Sequence, residues 1–286
     1  MKVDFCSDLH MEINGNVDNL VSPIDTESSV LILAGDITCF RFFNQKKTDA
    51  KSRSMRKRFS AFVNKQHHDH IYWIPGNHEY YNYYFDGAVE DMQEHIQHID
   101  SRLKLVNNET FTHDDVSFFF STFWTDFNNN NPLAKMSVEN GMNDYRVIAH
   151  KLPEKVTYQD RHMFSDFQNR FTAQIAYEEN KKAFYHLVHA YENRGDKKFV
   201  VATHHGPSLR SHNIHRFGYS DLMYGYLSNY DNWIESADIC AWIHGHTHHN
   251  IDYDIEGTRI VGAMYGYLMY DRLHANRKMK FGRLEV

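Results

Sequence analysis

Five short apolar runs along the chain each end in a polar cluster. Residues 2–6 precede Ser7-Asp8-Leu9-His10, and residues 30–34 precede Gly35-Asp36. Residues 71–74 run into Pro75-Gly76-Asn77-His78-Glu79, residues 199–202 into Thr203-His204-His205-Gly206, and residues 239–243 into His244-Gly245-His246-Thr247-His248. Runs of this length without polar alternation read as strands buried on both faces, and their β-branched and aromatic content favours strand over buried helix. Residues 116–122 and 259–263 are further strand candidates, whereas residues 55–65, 88–99 and 170–192 carry a helical pattern. Strand and helix alternate, so the predicted class is α/β. Residues 128–167 open on Asn128-Asn129-Asn130-Asn131-Pro132 and show no clear period, which predicts a loop or cap inserted into one domain spanning 1–286.

Composition narrows the setting. The 286 residues are 42% hydrophobic, enough to bury a core, and no apolar run approaches the ~20 residues of a bilayer-spanning helix. No membrane association and no obligatory protein partner are expected. Net charge is −6, which argues against a general nucleic-acid coat but leaves room for a local basic patch. Cys6, Cys39 and Cys240 form no CxxC pair, and the first residues hold no apolar leader, so a reducing, cytoplasmic setting is the expectation.

Histidine is the outlier, at 21 residues against 14 glycines. Ligands gather at the carboxyl ends of strands in open α/β sheets, and all five polar clusters hold that position. Together they offer Asp8, His10, Asp36, Asn77, His78, His204, His246 and His248. This mixed oxygen and nitrogen set is too nitrogen-rich for Mg²⁺ or Ca²⁺ and lacks the thiolates of structural zinc, so manganese, iron, zinc or nickel is the expected metal, with Mn²⁺ foremost.

Ordered in this way, the five clusters resemble the motifs of the calcineurin-like metallophosphoesterase superfamily. The resemblance implies a four-layer core of two mixed sheets flanked by helices. It implies two divalent ions, one held by Asp8, His10, Asp36 and His248 and the other by Asp36, Asn77, His204 and His246. Asp36 would bridge them together with a hydroxide that attacks the phosphoester, and His78 would be the catalytic histidine that gives a proton or hydrogen bond to the phosphate or leaving oxygen. The segments 123–127 and 142–146 also resemble those of small bacterial-type members. The serine/threonine protein phosphatases extend the second motif to Gly-Asp-x-x-Asp-Arg-Gly, whereas here Gly35-Asp36 continues Ile37-Thr38-Cys39-Phe40-Arg41. A phosphodiesterase acting on a nucleotide or nucleic acid is therefore expected, with a phosphomonoesterase on a nucleotide or small metabolite, or a non-catalytic metal-dependent binding protein, as alternatives.

Substrate contacts are expected from Asn77, from Arg146 as a phosphate clamp and from His205. An exposed structural arginine and a turn-stabilising histidine are the competing readings of the last two. Residues 46–58 hold Lys46, Lys47, Lys51, Arg53, Arg56, Lys57 and Arg58, and read first as a solvated helix face and second as a lure for a polyanion. Tyr80, Tyr81, Tyr83, Tyr84 and Phe85 read first as loop packing and second as a base-stacking platform. The clusters His67-His68-Asp69-His70 and Glu94-His95-Ile96-Gln97-His98 read as solvated faces, and His212 and His215 as a surface loop.

Overall fold

The computed structural model describes residues 1–15, 17–23, 28–44, 48–152, 167–268 and 281–286. In chain order the strands are β1 (Lys2–Cys6), β2 (Ser28–Ala34), β3 (His70–Ile74), β4 (Tyr83–Tyr84), β5 (Leu103–Leu105), β6 (Glu109–His113) and β7 (Val116–Ser121). There follow β8 (Ile148–Ala149), β9 (Lys198–Thr203), β10 (Ala241–His244), β11 (Ile251–Ile255), β12 (Thr258–Gly262) and β13 (Gly282–Glu285). The helices are α1 (Ala50–Asn64), α2 (Ala88–Ile96), α3 (Phe127–Asn130), α4 (Pro132–Gly141), α5 (Asp144–Val147), α6 (Ala173–Glu192), α7 (Ile214–Phe217) and α8 (Asp231–Ser236).

One sheet has the order β13-β1-β2-β3-β5 and the other β11-β12-β10-β9-β7-β6. The interior strands run parallel, while β13, β11 and β6 pair antiparallel at the edges. Because side chains alternate along a strand, Val30, Ile32 and Ala34 of β2 meet Phe118, Phe120, Val200 and Ile243 of the facing sheet. Leu31 and Leu33 point the other way, onto Phe59 and Phe62 of α1 and Met92 of α2. Val201 and Trp242 pack on Ala183 and Leu187 of α6 and on Ile234 of α8. The result is helix, sheet, sheet, helix, the four-layer α/β architecture expected. The interior strands β2, β3, β9 and β10 are covered on both faces, which is why each carries an unbroken apolar run.

Helix boundaries follow their caps. The helix expected at 55–65 begins earlier, at Ala50, because the Asp49 side chain accepts from Ser52 N at 2.9 Å. The insertion is partly helical, since Asn131 caps α4 and Pro132 occupies its first turn. Residues 153–166 of that insertion lie outside the described residues, as do Lys46 and Lys47. Asn128 and Asn129 adopt left-handed backbone in α3, at φ 53° and 55°.

One expectation is corrected here. His68 is not on a solvated face: it is buried, and its Nε2 donates to Asp4 Oδ2 at 3.0 Å. Asp4 is also held by Arg283 through Nε at 2.7 Å and Nη2 at 2.9 Å. The guanidinium already neutralises the carboxylate, so this group of Asp4, His67 and His68 is a structural tie between β1, β13 and the start of β3.

Candidate metal centre

All the parallel strands of both sheets deliver their carboxyl ends to one rim, and backbone hydrogen bonds stitch the loops there together. Asp8 N donates to Gly35 O at 3.0 Å, His10 N to Asp36 O at 2.9 Å and Gly245 N to His204 O at 3.0 Å. Across the sheets, His246 N donates to both oxygens of Asp8 at 3.1 Å. The loops are tight. Asp8, His10, Asp36, His246 and His248 all adopt left-handed backbone, with φ between 43° and 71°. Non-glycine residues rarely take that conformation, and such strain persists where the surrounding structure imposes it. Gly76 is required by proximity, since a Cβ there would lie 2.3 Å from Asp36 Oδ1.

Two donor clusters result, and they share Asp36. In the first, His10 Nε2 and His248 Nε2 are 3.0 Å apart, His248 Nε2 is 3.2 Å from Asp8 Oδ1, and His10 Nε2 is 3.6 Å from Asp36 Oδ2. In the second, His204 Nε2 lies 3.4 Å from Asp36 Oδ1, 3.1 Å from His246 Nδ1 and 3.0 Å from Asn77 Oδ1.

The opposite ends of these side chains are anchored. His204 Nδ1 donates to Ala34 O at 2.9 Å, which leaves the Nε2 lone pair facing the cluster. Asn77 Nδ2 donates to Asp144 Oδ1 at 2.8 Å, so its carbonyl oxygen must point inward. Tyr81 OH donates to the same Asp144 oxygen at 2.6 Å. Glu79 accepts from Asp36 N, Ile37 N, Thr38 N, Gly76 N and Trp73 Nε1, and so fixes the turn that carries Asp36. Glu12 Oε1 accepts from His78 Nδ1 at 3.0 Å and is 3.4 Å from His10 Nδ1, while His78 Nε2 is 2.9 Å from Tyr267 OH.

Electrostatics mark the rim as a place for cations. Burial, and then the charges of Glu79 and Asp8, push the Asp36 carboxyl well above the usual range. Burial also acts on Asp8, but the hydrogen bond from His248 and the neighbouring imidazoles outweigh it and hold that carboxyl low. Burial holds His10 and His204 down at about 3 and His246 well below its ordinary value, so these imidazoles are neutral with lone pairs available to a metal. Convergent neutral imidazoles, crowded carboxylates and an amide oxygen fit divalent cations. A bound cation would reverse the upward push on Asp36.

The profile of the calcineurin-like phosphoesterases matches residues 1–250. The chain belongs to that family. Members are dimetal-dependent hydrolases of phosphoesters, so this calcineurin-like phosphoesterase is a metal-binding hydrolase. It is 24% identical over 209 residues to uncharacterized protein L509 of Acanthamoeba polyphaga mimivirus, a match covering 70% of this chain and 69% of that one. Its fold is similar to phosphopantetheinyl hydrolase of Mycobacterium tuberculosis, at 15% identity and a TM-score of 0.66, over 99% of this chain and 95% of that one. Among the described residues no helix is long and apolar enough to cross a membrane.

A cavity of about 560 Å³ opens over the clusters, and Asp36, Asn77, His78, His246 and His248 are in its wall. Two expected substrate contacts are placed elsewhere. Arg146 is exposed and donates to Asn140 O, closing the end of α4. His205 is buried behind the rim, its Nδ1 donating to Thr122 O at 3.0 Å and its ring 4.4 Å from that of His246. Neither is among the described lining residues. Of the aromatic run, Tyr80, Tyr83 and Tyr84 are packed inside, whereas Tyr81 lines the cavity and stacks on His78 with centroids 4.0 Å apart. His212, read from the sequence as surface loop, also lines the cavity.

Sequence reasoning missed Glu12, Asp144 and Tyr267 as members of the site. Glu12 had a signal, because it follows His10 by two residues in the first loop. Asp144 had one in the family-like segment 142–146, but Tyr267 had none, since only the tertiary fold brings the segment after β12 to the rim.

Proposed function

We propose that this phosphoesterase holds two divalent metal ions, Mn²⁺ foremost, on the donor sets Asp8, His10, Asp36, His248 and Asp36, Asn77, His204, His246. The observation that carries the reading is the pair of donor clusters meeting at Asp36 in the wall of the cavity. Bound there, the ions would supply an activated water and neutralise the phosphoryl oxygens.

The protein's own groups do the rest. Asn77, oriented by Asp144, presents its carbonyl oxygen to the second set. Glu12 accepts a hydrogen bond from Nδ1–H of His78, which directs Nε2 towards Tyr267 and the cavity. Carrying a second proton on Nε2, an imidazole so held can donate it to the leaving oxygen and regain one from water.

The cavity's size supports a small molecule, a nucleotide included, over nucleic acid, because it lies in the range of small-ligand sites. The polyanion reading of residues 46–58 gains no support: Arg56 donates to Phe42 O, and Arg58 to Met11 O and Asn14 O. Among the described lining residues Arg216 is the one permanently charged cation, which favours a diester monoanion over a monoester dianion.

Turnover of bis-p-nitrophenyl phosphate against p-nitrophenyl phosphate, with metal content measured alongside, tests the reading. Asp36→Asn should lose metal and activity together. Full activity with both metals in that variant would overturn it.

A further inference from the structure

The cavity does not end at the metal-ligand rim. It continues into a chamber walled by Met142, Phe217, Leu222, Met223 and Tyr226, between α4 with its following loop and the segment 209–226. Two glycines allow those walls to close. A Cβ on Gly141 would lie 2.2 Å from Leu222 Cδ2, and one on Gly225 would lie 2.4 Å from Met142 Sδ. Packing therefore sets the shape of the chamber.

Several of the polar groups bordering it already make hydrogen bonds within the protein. Ser211 Oγ is 2.9 Å from His244 Nε2 and 2.8 Å from Tyr253 OH, and His212 Nε2 donates to Gly218 O at 2.7 Å. Asn213 Oδ1 accepts from Arg216 N, and Ser220 Oγ accepts from Leu222 N. The Arg216 guanidinium donates to His248 O at 3.3 Å. The thioethers of Met142 and Met223 and the faces of Leu222 and Phe217 are what the chamber offers a ligand, and methionine adapts its shape to flexible apolar groups.

We propose that this chamber is the ester-arm subsite and that the substrate is a phosphoester of an apolar alcohol, its phosphate at the metal-ligand rim and an alkyl chain along Met142, Phe217, Leu222 and Met223. The proposal rests on the phosphoester-hydrolase reading for the phosphate end. A nucleoside would set part of its polar edge against the thioethers and hydrocarbon of Met142, Phe217, Leu222 and Met223, and desolvated polar groups without partners weaken binding.

Isothermal titration of methylphosphonate and hexylphosphonate into the Mn²⁺-loaded full-length protein tests the subsite without turnover. Burial of the five added methylenes should tighten binding by roughly two- to fourfold each, and so by at least about thirtyfold in all. Met223→Asn, which adds no charge, should cut that advantage sharply, read as the ratio of the two affinities in one protein. Phe217→Ser, at a half-exposed position on which the fold does not depend, should reduce it about threefold. Equal affinities of the two phosphonates, an advantage that survives both variants, or tighter binding of a nucleoside phosphonate would each overturn the proposal. Chain-length selectivity in a protein that hydrolyses no p-nitrophenyl ester would uphold the subsite and sink the hydrolase reading. Hydrolysis with no selectivity would do the reverse.

Discussion

Replacing Glu79 by glutamine tests whether a single buried carboxylate holds the turn that carries Asp36. The exchange keeps the volume and removes one acceptor. One oxygen of Glu79 takes Ile37 N at 2.8 Å, Thr38 N at 3.3 Å and Trp73 Nε1 at 3.0 Å, and the other takes Asp36 N at 2.9 Å and Gly76 N at 2.7 Å. A glutamine amide can satisfy one of these sets, but its NH₂ must then face the donors of the other. At least two buried N–H groups lose their acceptor if the NH₂ takes the Asp36 and Gly76 side. Each orphaned donor costs about 1–3 kcal/mol, so Glu79→Gln should destabilise the protein by about 2–6 kcal/mol. That is a large share of the ~5–15 kcal/mol available to a typical domain. Urea denaturation followed by circular dichroism in EDTA is the assay, because bound metal would otherwise stabilise the native state and mask the loss. An unfolding free energy within about 0.5 kcal/mol of wild type would refute the account of Glu79 as the acceptor for both strand ends.

Further outcomes follow from the same geometry. Asp144→Ala frees the Asn77 amide to rotate, so affinity for the second metal should fall by about 10–100-fold in a metal titration, with the first little changed. Glu12→Gln should lower kcat by about tenfold or more at unchanged metal content, because the imidazole of His78 loses the carboxylate that orients it; a wild-type kcat would argue that Glu12 only fills space. His78→Ala should lower kcat by about 10²–10⁴-fold while elemental analysis still finds both metals. The metal-free protein should be acid-sensitive. Burial holds His205 and His244 down at about 4, so between about pH 6.5 and that value the unfolded chain binds protons that the folded chain does not. Stability is then full above about pH 6.5 and falls with decreasing pH, by about 2 kcal/mol per imidazole at about pH 5. A flat stability profile over that interval would contradict the buried, neutral assignment.

Much of this was legible before any coordinates. The interior strands announced themselves because both of their faces are covered, which leaves an apolar run followed by a polar loop, whereas the short or half-exposed β4, β5, β6, β8, β11 and β13 carried no such signal. Their carboxyl-end clusters named all the residues of the two donor sets, since Asp8, His10, Asp36, Asn77, His204, His246 and His248 each lie within a few positions of a strand. Residues reached through the insertion or through the segment after β12 were less legible: the family-like segment 142–146 marked the neighbourhood of Asp144 without its role, and nothing local distinguishes Tyr267 from any core tyrosine. Arg146 shows the converse error. A guanidinium near a site-like segment suggested a phosphate, whereas in the fold it closes the end of its own helix. His68 shows another, for within a histidine-rich stretch read as solvated this one side chain is buried against Asp4 near one terminus, which Arg283 near the other terminus also holds.

The amino-acid sequence by itself determined the α/β class, the places of the buried strands along the chain and the donor chemistry of the rim, because these depend on local composition and on position behind a strand. Tertiary structure alone decided which donors share an ion site, how Glu12, Glu79 and Asp144 hold them, and what shape and polarity the rest of the cavity presents. Those properties are made by groups far apart in the chain, and their energies depend on distance and burial that no local pattern encodes.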